Sequence, residues 1–172
     1  MELKLQPALE NDKVKLRPLK ESDFELLYAV AEDPLIWEQH QNKDRHTREN
    51  FTKFFNEAIT SKGALVILDS KTDKIIGSSR FKIVEESDGV VEIGWSFLGK
   101  EYWGGKYNRE FKKLMVNYAL QNYKYVVFYV NSLNYRSQKA MEKLGSKRTH
   151  DISKPWVLPK EKGVTYVIDT PL

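Results

Sequence analysis

The chain contains no cysteine, and that absence alone removes several chemistries. No disulfide can brace it, no thiolate can act as a nucleophile, and no metal can be held through sulfur. Long apolar runs are missing too, since no stretch approaches the ~20 residues a membrane-crossing helix needs. The first residues lack a basic segment leading into an apolar one, so neither export nor membrane insertion is indicated and the expected location is cytoplasmic. Charge is nearly balanced, with 28 Lys and Arg against 24 Asp and Glu, a formal +4. That small excess favours an anionic ligand but falls short of a nucleic-acid-binding signature, and an ordinary solvated surface explains it as well. Repeats and low-complexity tracts are absent, and 172 residues suit one domain over 1–172 that can bury its own core. His40 and His46 stand without further ligands at metal spacing, so no metal site is expected.

What the sequence does hold is clearest between Val90 and Glu110. Val90-Val91-Glu92-Ile93-Gly94-Trp95 is rich in β-branched and aromatic residues and reads as a strand. Phe111, Leu114, Met115, Tyr118 and Ala119 fall at i, i+3, i+4, i+7 and i+8, which predicts a helix over 108–121. Between them, Gly104-Gly105 permit positive φ and keep side chains away from main-chain N–H groups. The helix start adds unpaired N–H groups and the positive end of its dipole, so the turn is a candidate anion site, flanked by Lys100 and Lys106. The pattern is neither G-x-x-x-x-G-K-[ST] nor G-x-G-x-x-G. A double glycine between strand and helix is also, more simply, a tight connection.

The remaining elements are set by periodicity. Val14 to Leu19 alternates as a strand, and Glu21-Ser22-Asp23-Phe24 opens a helix containing Leu26, Leu27, Val30 and Ala31, stopped by Asp33-Pro34. A second helix starts at Thr47 with Phe51, Phe54, Phe55, Ala58 and Ile59 on one face. Ala64–Leu68 and Lys74–Val84 form a hairpin, and Glu85–Gly89 is the loop to the next antiparallel strand. Tyr125–Val130 is an unbroken apolar run that suits a strand covered on both faces, so strand, helix and strand make a right-handed parallel crossover. Asn131–Asn134 offers caps to a helix carrying Ser137, Ala140, Met141 and Leu144 on one stripe, with Gly145 as its stop. Val164–Ile168 is expected to close the sheet, and Trp156 suits either a dimer contact or a core.

Together these residues resemble the GNAT N-acetyltransferases, and within that superfamily the branch of the ribosomal-protein acetyltransferases RimJ and RimL. That branch carries Glu-Ile-Gly-aromatic, then Tyr-Trp-Gly-Lys-Gly-Tyr-Ala-Thr-Glu, then Asn-x-x-Ser and a short helix ending in Glu-Lys-Leu-Gly-Phe. The counterparts are Glu92-Ile93-Gly94-Trp95, then Tyr102-Trp103-Gly104-Gly105-Lys106-Tyr107-Asn108-Arg109-Glu110, then Asn134-Tyr135-Arg136-Ser137 through Glu142-Lys143-Leu144-Gly145. Arg17-Pro18 before the Glu21-Ser22-Asp23 helix start also fits. Two positions depart from the pattern: the second loop glycine is at Gly105, with Lys106 in the usual place, and Ser146 replaces the final aromatic.

The resemblance implies an α+β fold with a mixed, mostly antiparallel sheet, a central parallel crossover and helices on both faces. Its parallel strands splay apart and admit the pantetheine arm of acetyl-CoA. The diphosphate would lie on the main chain around Trp103, Gly104, Gly105, Lys106, Tyr107 and Asn108, beside Lys100. Backbone N–H groups near Phe97 and Leu98 would polarise the thioester, and Asn134 would hydrogen-bond the pantetheine. The segment between the first two helices commonly walls the acceptor site in such folds, so Trp37, Glu38 and His40 are candidate substrate contacts; solvated loop residues explain them equally well.

Acetyl transfer to an amine needs a neutral nucleophile, a stabilised oxyanion and a protonated leaving thiolate. Glu92, a carboxylate among apolar strand residues, is the candidate base, its alternative role being a partner for a basic side chain on a neighbouring strand. The tyrosine that many relatives use as general acid is matched by Met141, which cannot donate a proton. Ser137 is the nearest substitute, although a helical serine commonly bonds back to a preceding carbonyl. The expected activity is therefore transfer of acetyl from acetyl-CoA to a protein N-terminus, amino acid, polyamine or small amine, with a homodimer an open option. A noncatalytic acyl-CoA-binding module and, more remotely, a nucleic-acid binder are the alternatives.

Overall fold

The structure, a computed structural model, describes residues 3–172. Its strands are β1 (Leu9–Glu10), β2 (Val14–Pro18), β3 (Ala64–Asp69), β4 (Ile75–Glu85), β5 (Val90–Leu98), β6 (Tyr125–Val130), β7 (Lys147–Thr149) and β8 (Val164–Ile168). The helices are α1 (Phe24–Ala31), α2 (Arg48–Ser61), α3 (Tyr107–Ala119) and α4 (Tyr135–Leu144). One sheet holds all these strands in the order β1-β2-β3-β4-β5-β6-β8-β7. Every pairing is antiparallel except β5 with β6, the crossover through α3.

Alternation along the strands decides the layers. In β3, Leu65 and Ile67 join one core with Phe111, Met115 and Val116 of α3 and Met141 and Leu144 of α4. Ala64 and Val66, pointing the other way, join a second core with Leu27 and Ala31 of α1 and Phe51, Phe54, Phe55 and Ala58 of α2. A smaller third core, Val90 and Val127 beneath Trp156 and Val157, covers the far part of that second face. Helices thus flank both faces, as the α+β expectation required.

Local chemistry explains the joints. Arg17 grips Asp23 through two hydrogen bonds of 2.9 and 2.8 Å, and Asp23 also accepts from the Lys20 amide at 2.8 Å, so the end of β2 is locked to the start of α1. Burial raises the Asp23 carboxyl, but the Arg17 hydrogen bonds and charge outweigh it and hold the group below its ordinary value. The Thr47 hydroxyl caps α2 and the Asn134 amide oxygen caps α4, each accepting an N–H three residues on.

The structure also corrects parts of the sequence reading. Leu26 is exposed, since the core stripe of α1 runs through Leu27 and Ala31. On α3 the buried stripe is Phe111, Lys112, Met115, Val116 and Ala119, leaving Leu114 and Tyr118 only half-buried. Strand β8 does not end the sheet: it slots between β6 and β7. Trp156 is a core residue, 7 % exposed and stacked on Tyr125.

Two irregularities in β5 break the regular sheet. Its parallel pairing with β6 spans Val90, Val91 and Glu92, opposite Tyr125, Val126 and Val127, and there it ends, although both strands run on. On its other edge Ser78 pairs with Phe97 and Arg80 with Gly94, so Trp95 and Ser96 oppose Ser79 alone. That is a β-bulge, with Trp95 at φ 53°.

Phe51 anchors the α2 layer, fully buried against Phe24, Tyr28, Phe54, Phe55 and Phe97. Phe51→Ala is expected to cost ~3–5 kcal/mol in urea unfolding, from lost burial plus the residual cavity.

Candidate active site

Where β5 and β6 part, a cleft of about 1100 Å³ opens through the sheet. One wall is the Gly104-Gly105 loop with α3 and α4, and another is the segment from Ile36 to Arg45; Glu92 to Leu98 and Phe128 to Asn131 form the floor.

The loop is pinned on both sides. The Trp103 indole N–H donates to the Leu98 carbonyl at 3.0 Å, and the Tyr107 hydroxyl donates to Asp69 Oδ1 at 2.9 Å. Between these anchors Gly104 takes φ 69°, a left-handed conformation that a side chain would strain. Helix α3 begins without a side-chain cap, unlike α2 and α4, so its first N–H groups are left for a ligand. Lys106, Asn108 and Arg109 line the cleft at this helix start, with Lys139 and Lys143 of α4 alongside.

On the cleft floor stands Glu92, at the last paired position before the strands separate. Gly94, two residues on, shares its face of the sheet: a Cβ there would lie 2.6 Å from Glu92 Oε1, so the absent side chain is what lets the carboxylate lie flat over the strand. Burial pushes the Glu92 carboxyl up to about 7, against the opposing pull of Lys82 and Arg80. No ion pair or hydrogen bond ties up the carboxylate among the described residues. Tyr129, also lining the cleft, is pushed up to about 12 by burial and by the nearby Glu92 charge, and its hydroxyl donates to the Trp156 carbonyl at 2.7 Å.

The sequence candidates divide. Glu92, Phe97, Leu98, Trp103, Gly104, Gly105, Lys106, Asn108, Asn134, Ser137 and His40 come together around the one cleft. Lys100 and Glu38 are exposed and do not line it. Tyr107 turns away to Asp69, and Trp37 is a core residue 1 % exposed, its indole N–H donating to the Ala31 carbonyl at 2.8 Å. Trp37 therefore supports the site from behind: His40 packs edge-on against it, ring centres 5.2 Å apart. Burial, with Arg45 and Arg136 nearby, pushes His40 down to about 4, so its imidazole is neutral at pH 7. Ser137 makes no back-bond through its hydroxyl among the described residues; its amide donates to Asn134 Oδ1 at 3.1 Å. Met141 faces the cleft from α4, 2 % exposed.

A parted parallel strand pair, a bulged strand and an uncapped helix behind a glycine loop form a recognisable constellation. Residues 13–147 match the profile of the acetyltransferase (GNAT) domain. The chain belongs to the GNAT acetyltransferase family. Solved structures agree on the fold: a GCN5-related N-acetyltransferase from Brucella melitensis superposes with a TM-score of 0.78 at 19% identity, over 94% of this chain and 77% of that one. A Vibrio cholerae protein provisionally described as a ribosomal-protein-serine acetyltransferase gives 0.73 at 11% identity, over 95% and 98%. Spermidine N-acetyltransferase from Vibrio cholerae, in complex with CoA and spermine, gives 0.67 at 15%, over 92% and 96%.

Within this GNAT domain, sequence reasoning missed Lys112, Arg45, Arg80 and Arg136. Only Lys112 left a signal, a lysine in the apolar stripe of α3. It lines the cleft at 6 % exposure with its ammonium 5.7 Å from the ring centres of both Phe111 and Phe128, and burial pushes it down to about 7. No carboxylate pairs with it among the described residues. No helix here is long and apolar enough to cross a membrane, and no group of metal ligands gathers, among the described residues.

Between about 7 and the ordinary lysine value of 10.5, the unfolded chain holds a proton at Lys112 that the folded chain lacks. Folding stability is therefore expected to rise with pH across that window, by up to ~1.4 kcal/mol per pH unit from this group. Lys112→Met should flatten the slope and raise the urea midpoint at pH 7 in the absence of ligand.

Proposed function

We propose that the chain transfers an acetyl group from acetyl-CoA to a primary amine by direct attack on the thioester. The observation that carries this reading is Glu92: a half-buried, unpaired carboxylate, its pKa raised to about 7, at the point where the parallel strands separate.

On this reading the diphosphate rests on the amides of the Gly104-Gly105 loop and the start of α3, with Lys106 and Arg109 at the mouth. Lys112 gives a further cation below them, and an anion in the cleft would supply the partner its ammonium lacks. The pantetheine arm runs into the gap between β5 and β6, past Asn134, whose side-chain oxygen is taken by the Ser137 amide but whose NH₂ group is free of protein partners among the described residues.

Chemistry then proceeds at the floor. An alkyl ammonium must lose a proton before it can attack, and Glu92 accepts that proton directly or through water. The amine nitrogen bonds to the thioester carbonyl carbon, and the resulting oxyanion faces main-chain N–H groups of β5 beyond its bulge, at Phe97 and Leu98. The C–S bond breaks as the nitrogen sheds its second proton, and the thiolate takes up a proton relayed through the Ser137 hydroxyl or water, leaving a neutral amide and CoA thiol. With a thiol pKa of ~8.5 on the cysteine scale, that departure tolerates the loss of acid help that Met141 represents. The order and spacing of the sequence motifs support the RimJ and RimL branch and, with it, a cytoplasmic protein. Met141 is the observation favouring the other reading, an acyl-CoA-binding module without turnover.

Calorimetric titration with acetyl-CoA, then thiol release against an amine panel, separates the two. Binding with turnover supports the enzyme, binding without turnover the module, and no heat at all sinks both. For the enzyme, kcat/KM should climb with pH through about 7 as Glu92 ionises. Glu92→Gln should remove that limb and lower kcat by ~10²–10⁴ while leaving acetyl-CoA affinity intact. Gly94→Ala, whose new methyl displaces the carboxylate without touching the core, should lower kcat by ~10–100-fold with unchanged unfolding.

A further inference from the structure

Three arginines gather beside the cleft from three elements: Arg45 from the segment joining α1 to α2, Arg80 from β4 and Arg136 from the start of α4. Arg45 lines the cleft half-buried, its guanidinium carbon 4.5 Å from the centre of the Phe54 ring and 5.2 Å from that of Trp37. Packing holds it in place, yet none of its guanidinium N–H groups reaches an acceptor among the described residues. Arg80 lies deeper against the same Phe54 ring at 5.7 Å, with Trp95 stacked over it at 4.3 Å. Its Nε and Nη2 are buried and unpartnered. Arg136, donating to the Ile36 carbonyl at 3.0 Å and lying 3.9 Å over Trp103, closes the row.

Acids offset these charges only in part: Glu57 acts on Arg45 and Arg80, Glu92 on Arg80 and Glu38 on Arg136, and in each case burial outweighs them. Glu57 and Glu38 are exposed at the edge, and neither forms an ion pair with an arginine among the described residues. Guanidinium groups stay protonated at any working pH, so the wall is permanently positive. Withdrawing such charges from water without a partner opposes folding, and a bound anion would offset that cost.

Resting on the acetyl-transfer reading, we propose that the acceptor is a primary amine that also carries a carboxylate, with the carboxylate on Arg45 and the amine toward Glu92. A guanidinium fork matches a carboxylate's two oxygens. A polyamine, by contrast, would place further positive charge against three arginines. The same field favours the neutral form of the amine, which is the form that attacks. The carboxylate comes either from a free amino acid or from the acidic N-terminal residue of a peptide, and the two are distinguished by direct titration.

Glutamate, a short peptide with N-terminal Asp, the amidated counterpart of each and spermidine would be titrated calorimetrically into protein saturated with CoA. At least one carboxylate-bearing amine is expected to bind about tenfold tighter than its amide, with spermidine weakest. Arg45→Gln should erase that difference and leave the amides and CoA unchanged; Arg45→Lys, which keeps the charge but loses the fork, should fall between. Equal binding of acid and amide, preference for spermidine, no binding of any amine, or an unaltered acid preference in the folded Arg45→Gln protein would overturn the proposal. If CoA itself fails to bind, the acetyl-transfer reading falls. The same titrations on the free protein then still score the carboxylate preference.

Discussion

The short ladder between β5 and β6 is the constraint on which the rest depends. Each strand keeps a full antiparallel partner on its outer side, β4 for β5 and β8 for β6, so neither loses its place in the sheet when the inner pairing stops at Glu92 and Val127. The bulge at Trp95 and Ser96 diverts β5, and Trp95 is held in a left-handed conformation that a tryptophan adopts only when its surroundings compel it. Main-chain N–H and C=O groups along the inner edges are thereby left without strand partners, which inside a protein is costly. An extended ligand with its own amides restores those bonds, so the gap is a template for a polar chain rather than a defect.

Electrostatics obey the same logic. The two cleft walls are basic for different reasons: the α3–α4 wall gathers Lys106, Arg109, Lys112, Lys139 and Lys143, while the opposite wall holds Arg45 beside the deeper Arg80. Lys112 and Arg80 are the most expensive members, buried without an ion pair among the described residues, and burial drives them down to about 7 and about 10, Glu57 and Glu92 only partly offsetting it at Arg80. A fold selected for stability alone would place apolar residues at both positions. Their presence is explained by ligands that are themselves negative, and the single carboxylate between the walls has its pKa raised to about 7 because burial outweighs both neighbouring cations.

Much of this was legible in the sequence, for local reasons. Periodicity located the four helices and the longer strands, and the Gly104-Gly105 turn stood out because positive φ and an absent cap are written in residue types. Glu92 was legible as a carboxylate in an apolar strand. What escaped was set by partners distant in sequence. Trp37 read as a loop residue because nothing nearby announces that Phe54 and Phe97 enclose it. The three-residue β7 is polar and carries no strand signal of its own, so the insertion of β8 beside it was not foreseeable. Arg45 and Arg80 lie 35 positions apart, and only the shared Phe54 ring brings their charges to one wall.

The asymmetry between base and acid in the cleft also has a chemical cause. An acceptor amine is mostly protonated at neutral pH, whether a peptide α-amine at ~7.7–8.0 or a lysine-like amine at ~10.4, so a proton must be removed before it can attack. The departing thiolate, whose conjugate thiol has a pKa of ~8.5, leaves with little assistance. A site under that pair of demands needs a poised base and a field that disfavours ammonium, and it tolerates Met141 where a phenol would otherwise stand. Glu92 near neutrality and the arginine wall supply the first two, so the missing acid is the part of the apparatus whose loss costs least.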